Sequence, residues 1–209
     1  YEQILEINPK DVDTLRLLGV LAWQTGQNQI AIDLISQAIS INPKYAVAYN
    51  NLGVALKEDG QLEEAESAYH QALSLNPDYV EAHNNLGNAL KGQGQLEEAV
   101  NAYRQALSLN PDYAEAHFNL AITLLLQGKL TAGWKEYEWR WDFVQESQKR
   151  DFKQSLWDGN SLKGKSILVH AEQGFGDAIQ FIRYVDLLCD LDTTVIVECH
   201  AALKPLFAS

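Results

Sequence analysis

A short glycine-rich segment near the end of the chain carries residues suited to binding an anion. Gly174 and Gly176 flank Phe175, and Asp177 follows directly. At a turn from a strand to a helix, such glycines let backbone N–H groups at the helix N-terminus face an anion. Asp177 also suits an N-cap, with Gln180 three residues later in a capping-box arrangement. The segment therefore predicts either an anion-binding loop or a well-capped helix.

A second set of candidate residues consists of asparagines that recur at one spacing. Asn51, Asn85 and Asn119 follow one another at intervals of 34 residues. A side-chain amide both donates and accepts hydrogen bonds, so it can bind a peptide backbone without selecting the side chains of that peptide. The equal spacing requires a repeated structural element that presents the same position each time.

The spacing of the asparagines is the period of the chain. Segments 45–78 and 79–112 are identical at 25 of 34 aligned positions. Pro43, Pro77 and Pro111 keep the same interval. A period of about 20–50 residues indicates one supersecondary unit stacked on copies of itself. Each unit has an apolar face that only a neighbouring unit can cover.

The repeated unit is predicted to be a pair of antiparallel helices. In segment 45–78, apolar residues at helical spacing run from Ala48 to Leu56, and a second such stripe runs from Leu62 to Leu73. Gly60 separates the stripes and marks a helix end with a tight turn. Pro77 then ends the unit, because proline cannot continue a helix and restricts the residue before it.

This pattern resembles the tetratricopeptide repeat, which has a leucine–glycine pair in its first helix, a central glycine, two alanines in its second helix and a late proline. The leucine–glycine pair stands at 18–19, 52–53 and 86–87. The resemblance implies a right-handed superhelix with a concave binding groove. The predicted repeat region, 1–144, comprises a partial repeat 1–10, repeats 11–44, 45–78 and 79–112, and a degenerate repeat 113–144.

The resemblance implies that Asn51, Asn85 and Asn119 lie in the concave groove. Neighbouring helices pack about 8–10 Å apart, and three residues of extended chain span about 10 Å. We therefore expect the groove to bind an extended protein or peptide segment at every third residue. Further amides widen the polar strip: Asn50, Asn84 and Asn88. The alternative is that these amides only solvate the groove or bond to the adjacent helix.

The sequence changes character after the repeats. A polar connector over 145–165 precedes a predicted strand over 166–171, a helix over 177–190 and a second strand over 193–199. This order predicts a βαβ unit and a parallel sheet. The predicted fold class is therefore mainly α, a superhelix followed by the start of a Rossmann-like α/β domain over 166–209. Two strands are too few for a stable sheet, and residues 1–10 match only the tail of a repeat. We therefore expect a fragment truncated at both ends.

A longer stretch resembles bacterial proteins that fuse tetratricopeptide repeats to a GT-B glycosyltransferase domain similar to the lipopolysaccharide heptosyltransferases. The resemblance is carried by Glu138-Trp139-Arg140-Trp141, by Trp157-Asp158-Gly159 and by the run from Gly164 to Tyr184. It implies that Gly174 and Gly176 form an acceptor loop and that Asp177 is the catalytic base. It also implies a nucleotide-sugar donor bound by a second half that this sequence lacks, so the fragment itself is expected to be inactive.

Two functions follow from these features. The first is a peptide-binding repeat scaffold of a glycosyltransferase that moves a sugar from a nucleotide donor to an acceptor. The alternative is a non-catalytic tetratricopeptide adaptor that mediates protein–protein interaction. We expect no metal site and no cofactor within the fragment.

Charge and composition exclude some partners. The net charge is −12, and segment 45–112 holds ten acidic and three basic residues, which would repel nucleic-acid phosphates. No apolar run is long enough to predict a membrane span. Cys189 and Cys199 have no CxxC partner, which indicates reduced thiols and a cytoplasmic location.

Overall fold

A computed structural model describes residues 8–143, 153–171, 174–189 and 192–208. The chain divides into two compact units, Tyr1–Gln145 and Glu146–Ser209. Most of the predicted partial repeat 1–10 and part of the connector 145–165 lie outside the described residues. The described part of the first unit contains helices and turns, and that of the second contains a small sheet with short helices.

The first unit is a series of antiparallel helix pairs, which confirms the predicted two-helix repeat. No helix in the described ranges is long and apolar enough to cross a membrane. The helices are α1 (Val12–Gln24), α2 (Asn28–Ile41), α3 (Ala46–Glu58), α4 (Leu62–Leu75), α5 (Val80–Gly92), α6 (Leu96–Leu109), α7 (Ala114–Leu126), α8 (Leu130–Tyr137) and α9 (Arg140–Phe143).

A glycine with positive φ makes the turn between the two helices of each pair. Gly60 has a φ of 84°, a conformation that residues with a side chain rarely adopt. The N–H of Gly60 donates to the carbonyl of Lys57 at 3.0 Å, and the N–H of Gln61 donates to that of Leu56 at 2.9 Å. These bonds satisfy carbonyls at the end of α3 and reverse the chain into α4. Gly26, Gly94 and Gly128 repeat this turn.

A second kind of glycine lets the two helices of a pair approach closely. A Cβ added to Gly53 would lie 2.5 Å from the ring of Tyr69, and one added to Gly87 would lie 2.5 Å from the ring of Tyr103. Both rings are fully buried. The leucine–glycine pair of these two repeats is thus a packing requirement, because a methyl group at this position would displace a buried aromatic ring.

The fourth repeat, 113–144, has different residues at these packing positions. Ala121 takes the place of the close-contact glycine, and Tyr137 takes the place of the buried tyrosine but is only half-buried. Gly133 replaces the alanine that the repeat pattern predicts, and a Cβ there would lie 2.7 Å from Cγ of Leu125. Gly133 therefore leaves the space that the side chain of Leu125 occupies.

The described part of the second unit contains two strands, β1 (Ser166–His170) and β2 (Thr194–Glu198), paired in parallel with Ser166 opposite Thr194. The predicted order of strand, helix and strand is present. The two-stranded sheet does not extend to the predicted Rossmann-like domain. The helical segments here are α10 (Phe175–Phe181), a 3₁₀ turn (Ile182–Tyr184), α11 (Val185–Cys189), a second 3₁₀ turn (Ala201–Leu203) and α12 (Lys204–Phe207).

The helix predicted over 177–190 differs from the one observed. It begins at Phe175, with Gly174 at the N-cap, so the prediction that Asp177 is the N-cap is wrong. Gly174 adopts the extended N-cap conformation, three residues before the N-cap that the side-chain rule indicates. The predicted single helix is also divided by the 3₁₀ turn Ile182–Tyr184.

The close contact between Gly87 and Tyr103 predicts the effect of one methyl group. We expect Gly87→Ala to lower the free energy of unfolding by about 1 kcal/mol, because an overpacking cost of about 2 kcal/mol, the middle of the usual range, exceeds the gain of about 1 kcal/mol in helix propensity. Urea unfolding monitored by circular dichroism measures the change, with the exposed Gln105→Ala as the control. An unchanged or raised stability of Gly87→Ala would contradict the packing argument.

Candidate functional site

The first helices of the repeats lie side by side. α1 contacts α3, α3 contacts α5, and α5 contacts α7. Each second helix also packs between the first helix of its own repeat and the first helix of the next. The first helices therefore form a continuous inner layer. We call the solvent-accessible side of α1, α3, α5 and α7 the first-helix face.

Side-chain amides join neighbouring first helices. The Nδ2 of Asn85 donates to the Oδ1 of Asn50 at 3.1 Å, and the Nδ2 of Asn119 donates to the Oδ1 of Asn84 at the same distance. Each bond connects residues 35 positions apart in sequence. The candidate asparagines are therefore brought together in pairs, and the expected alternative, a bond to the adjacent helix, is observed for Asn85 and Asn119.

Burial separates two of these asparagines from any bound molecule. Asn84 is fully buried, and its Nδ2 also donates to the Oε1 of Glu115 at 3.0 Å. Asn50 is 6% exposed. This corrects the prediction that Asn50 and Asn84 widen the ligand-contacting strip: their amides are used within the layer, because a buried polar group must find its partners there.

The remaining asparagines keep hydrogen-bonding capacity. Asn51, Asn85 and Asn119 are half-buried. Within the described residues, the Oδ1 atoms of Asn85 and Asn119 accept no hydrogen bond, and the side chain of Asn51 makes none. The position 35 residues before Asn51 is held by Arg16, whose Nε donates to the hydroxyl of Tyr45 at 2.9 Å. Asn51 therefore has no amide partner in the preceding repeat, whereas Asn85 and Asn119 each have one.

Asn88 has a different role from the one predicted by sequence. Its Oδ1 accepts a hydrogen bond of 2.8 Å from the hydroxyl of Tyr103. Burial raises the pKa of Tyr103, so the phenol stays a donor at neutral pH. In the preceding repeat Val54 occupies the position of Asn88, and the buried hydroxyl of Tyr69 has no hydrogen-bond partner among the described residues. Asn88 thus serves the close helix contact.

A row of tyrosines and carboxylates lies at the N-terminal ends of the first helices. The hydroxyl of Tyr113 donates to the Oε2 of Glu115 at 3.1 Å, and that of Tyr45 donates to Asp13. Burial, and then the nearby Glu115, raise the pKa of Tyr113. The sequence signal for this row is the tyrosine that precedes α3, α5 and α7 at the 34-residue interval, with Tyr79 between the other two.

Two lysines stand at the other end of the first helices. Lys57 and Lys91 occupy the last turns of α3 and α5. Both are half-buried. Burial, and then the charge of Lys57, lower the pKa of Lys91. The 34-residue interval between them was visible in the sequence, but only the stacked helices show that the two charges influence each other.

The glycine loop of the second unit lies at the carboxyl ends of the strands. Gly174 contributes to a cavity of about 310 Å³ whose lining also includes Phe175, Glu198 and His200. Gly176 is exposed in the first turn of α10. Asp177 is the third residue of that helix, and its side chain lies outside the described part. The catalytic role of Asp177 and the acceptor role of the two glycines stay predictions. No cluster of side chains in the described ranges could hold a metal ion.

Models of known protein families match the repeat region of this chain. Models described as tetratricopeptide repeat match residues 13–45 and 34–67, and a model described as TPR repeat matches 55–94 and 87–128. Together they cover 13–128, more than half of the 209 residues. No curated protein matches the chain.

Solved structures of repeat proteins are similar to this chain. One described as crystal structure of MamA is 25% identical, covers 68% of this chain and 83% of its own, and has a TM-score of 0.61. The first TPR of Spaghetti (RPAP3) bound to HSP90 peptide SRMEEVD is 26% identical, covers 56% of this chain and 93% of its own, and has a TM-score of 0.55. These matches support the repeats and not the predicted glycosyltransferase fusion.

We expect the buried and the half-buried asparagines to differ in their contribution to stability. We expect Asn84→Ala to lower the free energy of unfolding by about 1–3 kcal/mol, because it removes the acceptor of Asn119 and the amide donor to the Oε1 of Glu115. Asn51→Ala, the matched control, should change stability by less than about 0.5 kcal/mol. Urea unfolding compares the two variants. Equal losses would contradict the division into buried and available amides.

Proposed function

We propose that this chain, which belongs to the tetratricopeptide-repeat family, is a protein-interaction scaffold that binds an extended segment of a partner protein along its first-helix face. The observation that carries the proposal is the row of half-buried amides on that face, Asn51, Asn85 and Asn119, which retain hydrogen-bonding capacity.

The geometry of the amides suits an extended backbone. Neighbouring first helices pack about 8–10 Å apart, and three residues of extended chain cover about 10 Å. The free Oδ1 atoms of Asn85 and Asn119 would accept backbone N–H bonds, and Asn51 would both donate and accept. A peptide ligand is also consistent with the Spaghetti (RPAP3) structure, which is bound to an HSP90 peptide.

The bonds between asparagines favour this function energetically. Asn85 and Asn119 are each held by one hydrogen bond to the preceding repeat. Their side chains therefore lose little further rotational freedom when a partner binds, and ordering costs of about 0.5–1.5 kcal/mol per side chain are reduced. The net charge of −7 over 45–112 argues against nucleic acid as the partner.

Peptide selection followed by substitution tests the scaffold function. Random twelve-residue peptides displayed on phage are selected against the chain, and the affinity of the best binder is measured by fluorescence anisotropy. We expect Asn51→Ala to weaken binding by about 2 kcal/mol, roughly thirtyfold, because the two hydrogen bonds of its amide contribute about 1 kcal/mol each. The triple variant of Asn51, Asn85 and Asn119 should weaken it further.

The second helices offer a matched control. Gln37, Gln71 and Gln105 are exposed amides at the same 34-residue interval, on α2, α4 and α6. Their triple alanine variant should bind the selected peptide as the parent does. The proposal fails if no peptide is selected, or if the glutamine variant loses as much affinity as the asparagine variant at equal helicity.

Sugar transfer remains a second candidate, supported by the sequence resemblance and by the cavity at the carboxyl ends of β1 and β2, where α/β folds bind ligands. If Asp177 takes a proton from the acceptor hydroxyl, Asp177→Asn in the whole protein should lower the rate of sugar transfer by about 10²–10⁴-fold with an unchanged Tm. Near-normal turnover of this variant would remove Asp177 from the reaction.

A further inference from the structure

We propose that the partner segment is acidic and that Lys57 and Lys91 bind two of its carboxylates, three residues apart. This inference rests on the proposed function and specifies the chemistry of its partner. The expected motif has an apolar residue, two acidic residues and a second apolar residue, with two residues of any type between each.

The motif follows from a strip of residues in the last turns of the first helices. One residue from each repeat contributes, at intervals of 34 residues. All four are half-buried, so each is in contact with the protein and retains a surface for a ligand. The last-turn strip is Trp23, Lys57, Lys91 and Leu125.

The lysines of the strip lie about two helical turns beyond the buried asparagines Asn50 and Asn84. Lys57 follows Asn50 by seven residues on α3, and Lys91 follows Asn84 by seven residues on α5. Seven residues make about two helical turns, so each lysine stands on the same side of its helix as the asparagine. The bond between Asn85 and Asn50 places α3 and α5 next to each other in register. The two lysines are therefore neighbours across the helix interface.

The charge of Lys91 has no opposite partner in the part of the chain that the structure describes. Lys57 forms an ion pair with Glu58, but Gly92 holds the corresponding position after Lys91. Among the described residues, no carboxylate pairs with Lys91. A half-buried cation beside a second cation is electrostatically unfavourable. It is also exceptional in a chain with a net charge of −12. A carboxylate from a ligand would relieve this repulsion.

The spacing of the strip defines the spacing of the ligand. First helices about 8–10 Å apart correspond to about three residues of an extended chain. Trp23 and Leu125 flank the lysines and offer apolar contact at the two ends. An alternative role for the lysines is to neutralise the negative C-terminal ends of α3 and α5. That role needs no ligand, so peptide binding distinguishes the two.

Two synthetic peptides test the charge. The acidic probe is Leu-Ser-Ser-Glu-Ser-Ser-Glu-Ser-Ser-Leu, and the neutral probe has Gln in place of each Glu. We expect the chain to bind the acidic probe about tenfold more tightly at low salt, because charge-assisted hydrogen bonds are about twice as strong as neutral ones. This preference should decrease as NaCl is raised. Equal affinity for both probes would overturn the inference.

Lysine variants locate the charge effect. Lys57→Gln and Lys91→Gln should each weaken binding of the acidic probe by about fivefold or more and leave binding of the neutral probe unchanged. Lys44→Gln, in the exposed turn between α2 and α3, is the matched control and should have no effect on either probe. A lower Tm with unchanged affinity for the acidic probe would show that the lysines serve the helix ends only, and would overturn the inference.

The random-peptide selection separates failure of this inference from failure of the scaffold function. Selected peptides that carry two acidic residues at the stated spacing support it. Selected peptides that bind the first-helix face without acidic residues would overturn this inference and leave the scaffold function intact. Absence of any selected peptide would overturn both.

Discussion

In repeats 45–78 and 79–112, the contact between a first-helix glycine and a buried tyrosine ring fixes the distance between the two helices. Gly53 and Gly87 leave 2.5 Å between an added Cβ and the ring of Tyr69 or Tyr103. Because both contacts have the same distance, the two repeats have the same width. Copies of equal width stack in register, and the same position in each repeat then meets the same position in the next. The polar bonds across the inner layer depend on that register.

The register explains why buried amides are tolerated between the first helices. An unpaired buried amide is costly, whereas a paired one is nearly neutral or modestly favourable. Asn50 and Asn84 each receive a hydrogen bond of 3.1 Å from the next repeat. The bonds would lengthen if one repeat were rotated relative to its neighbour. The same bonds hold Asn85 and Asn119 in place before a partner binds. The stability of the layer is thereby linked to the proposed binding function.

Much of the repeat architecture could be predicted from sequence, because period, proline and glycine turns each specify local backbone geometry. The sequence does not predict which asparagines are buried between the helices and which remain available to a ligand. Asn50 and Asn51 are adjacent and both polar, and the period alone does not show that the first faces the neighbouring helix. In the second unit, the strands followed from β-branched residues, but the helix start did not, since Gly174 caps the helix without a side chain. The glycosyltransferase resemblance rests on residues that the comparisons do not support.

The side-chain amide resonances of asparagine test the central claim directly. In ¹⁵N-labelled protein, each asparagine NH₂ group gives its own pair of signals, so a selected peptide can be titrated while every amide is observed at once. The account predicts that the signals of Asn51, Asn85 and Asn119 shift with the peptide, while that of Asn101, exposed on α6, does not. Shifts at Asn101 with no change at the three first-helix asparagines would contradict binding along the first-helix face.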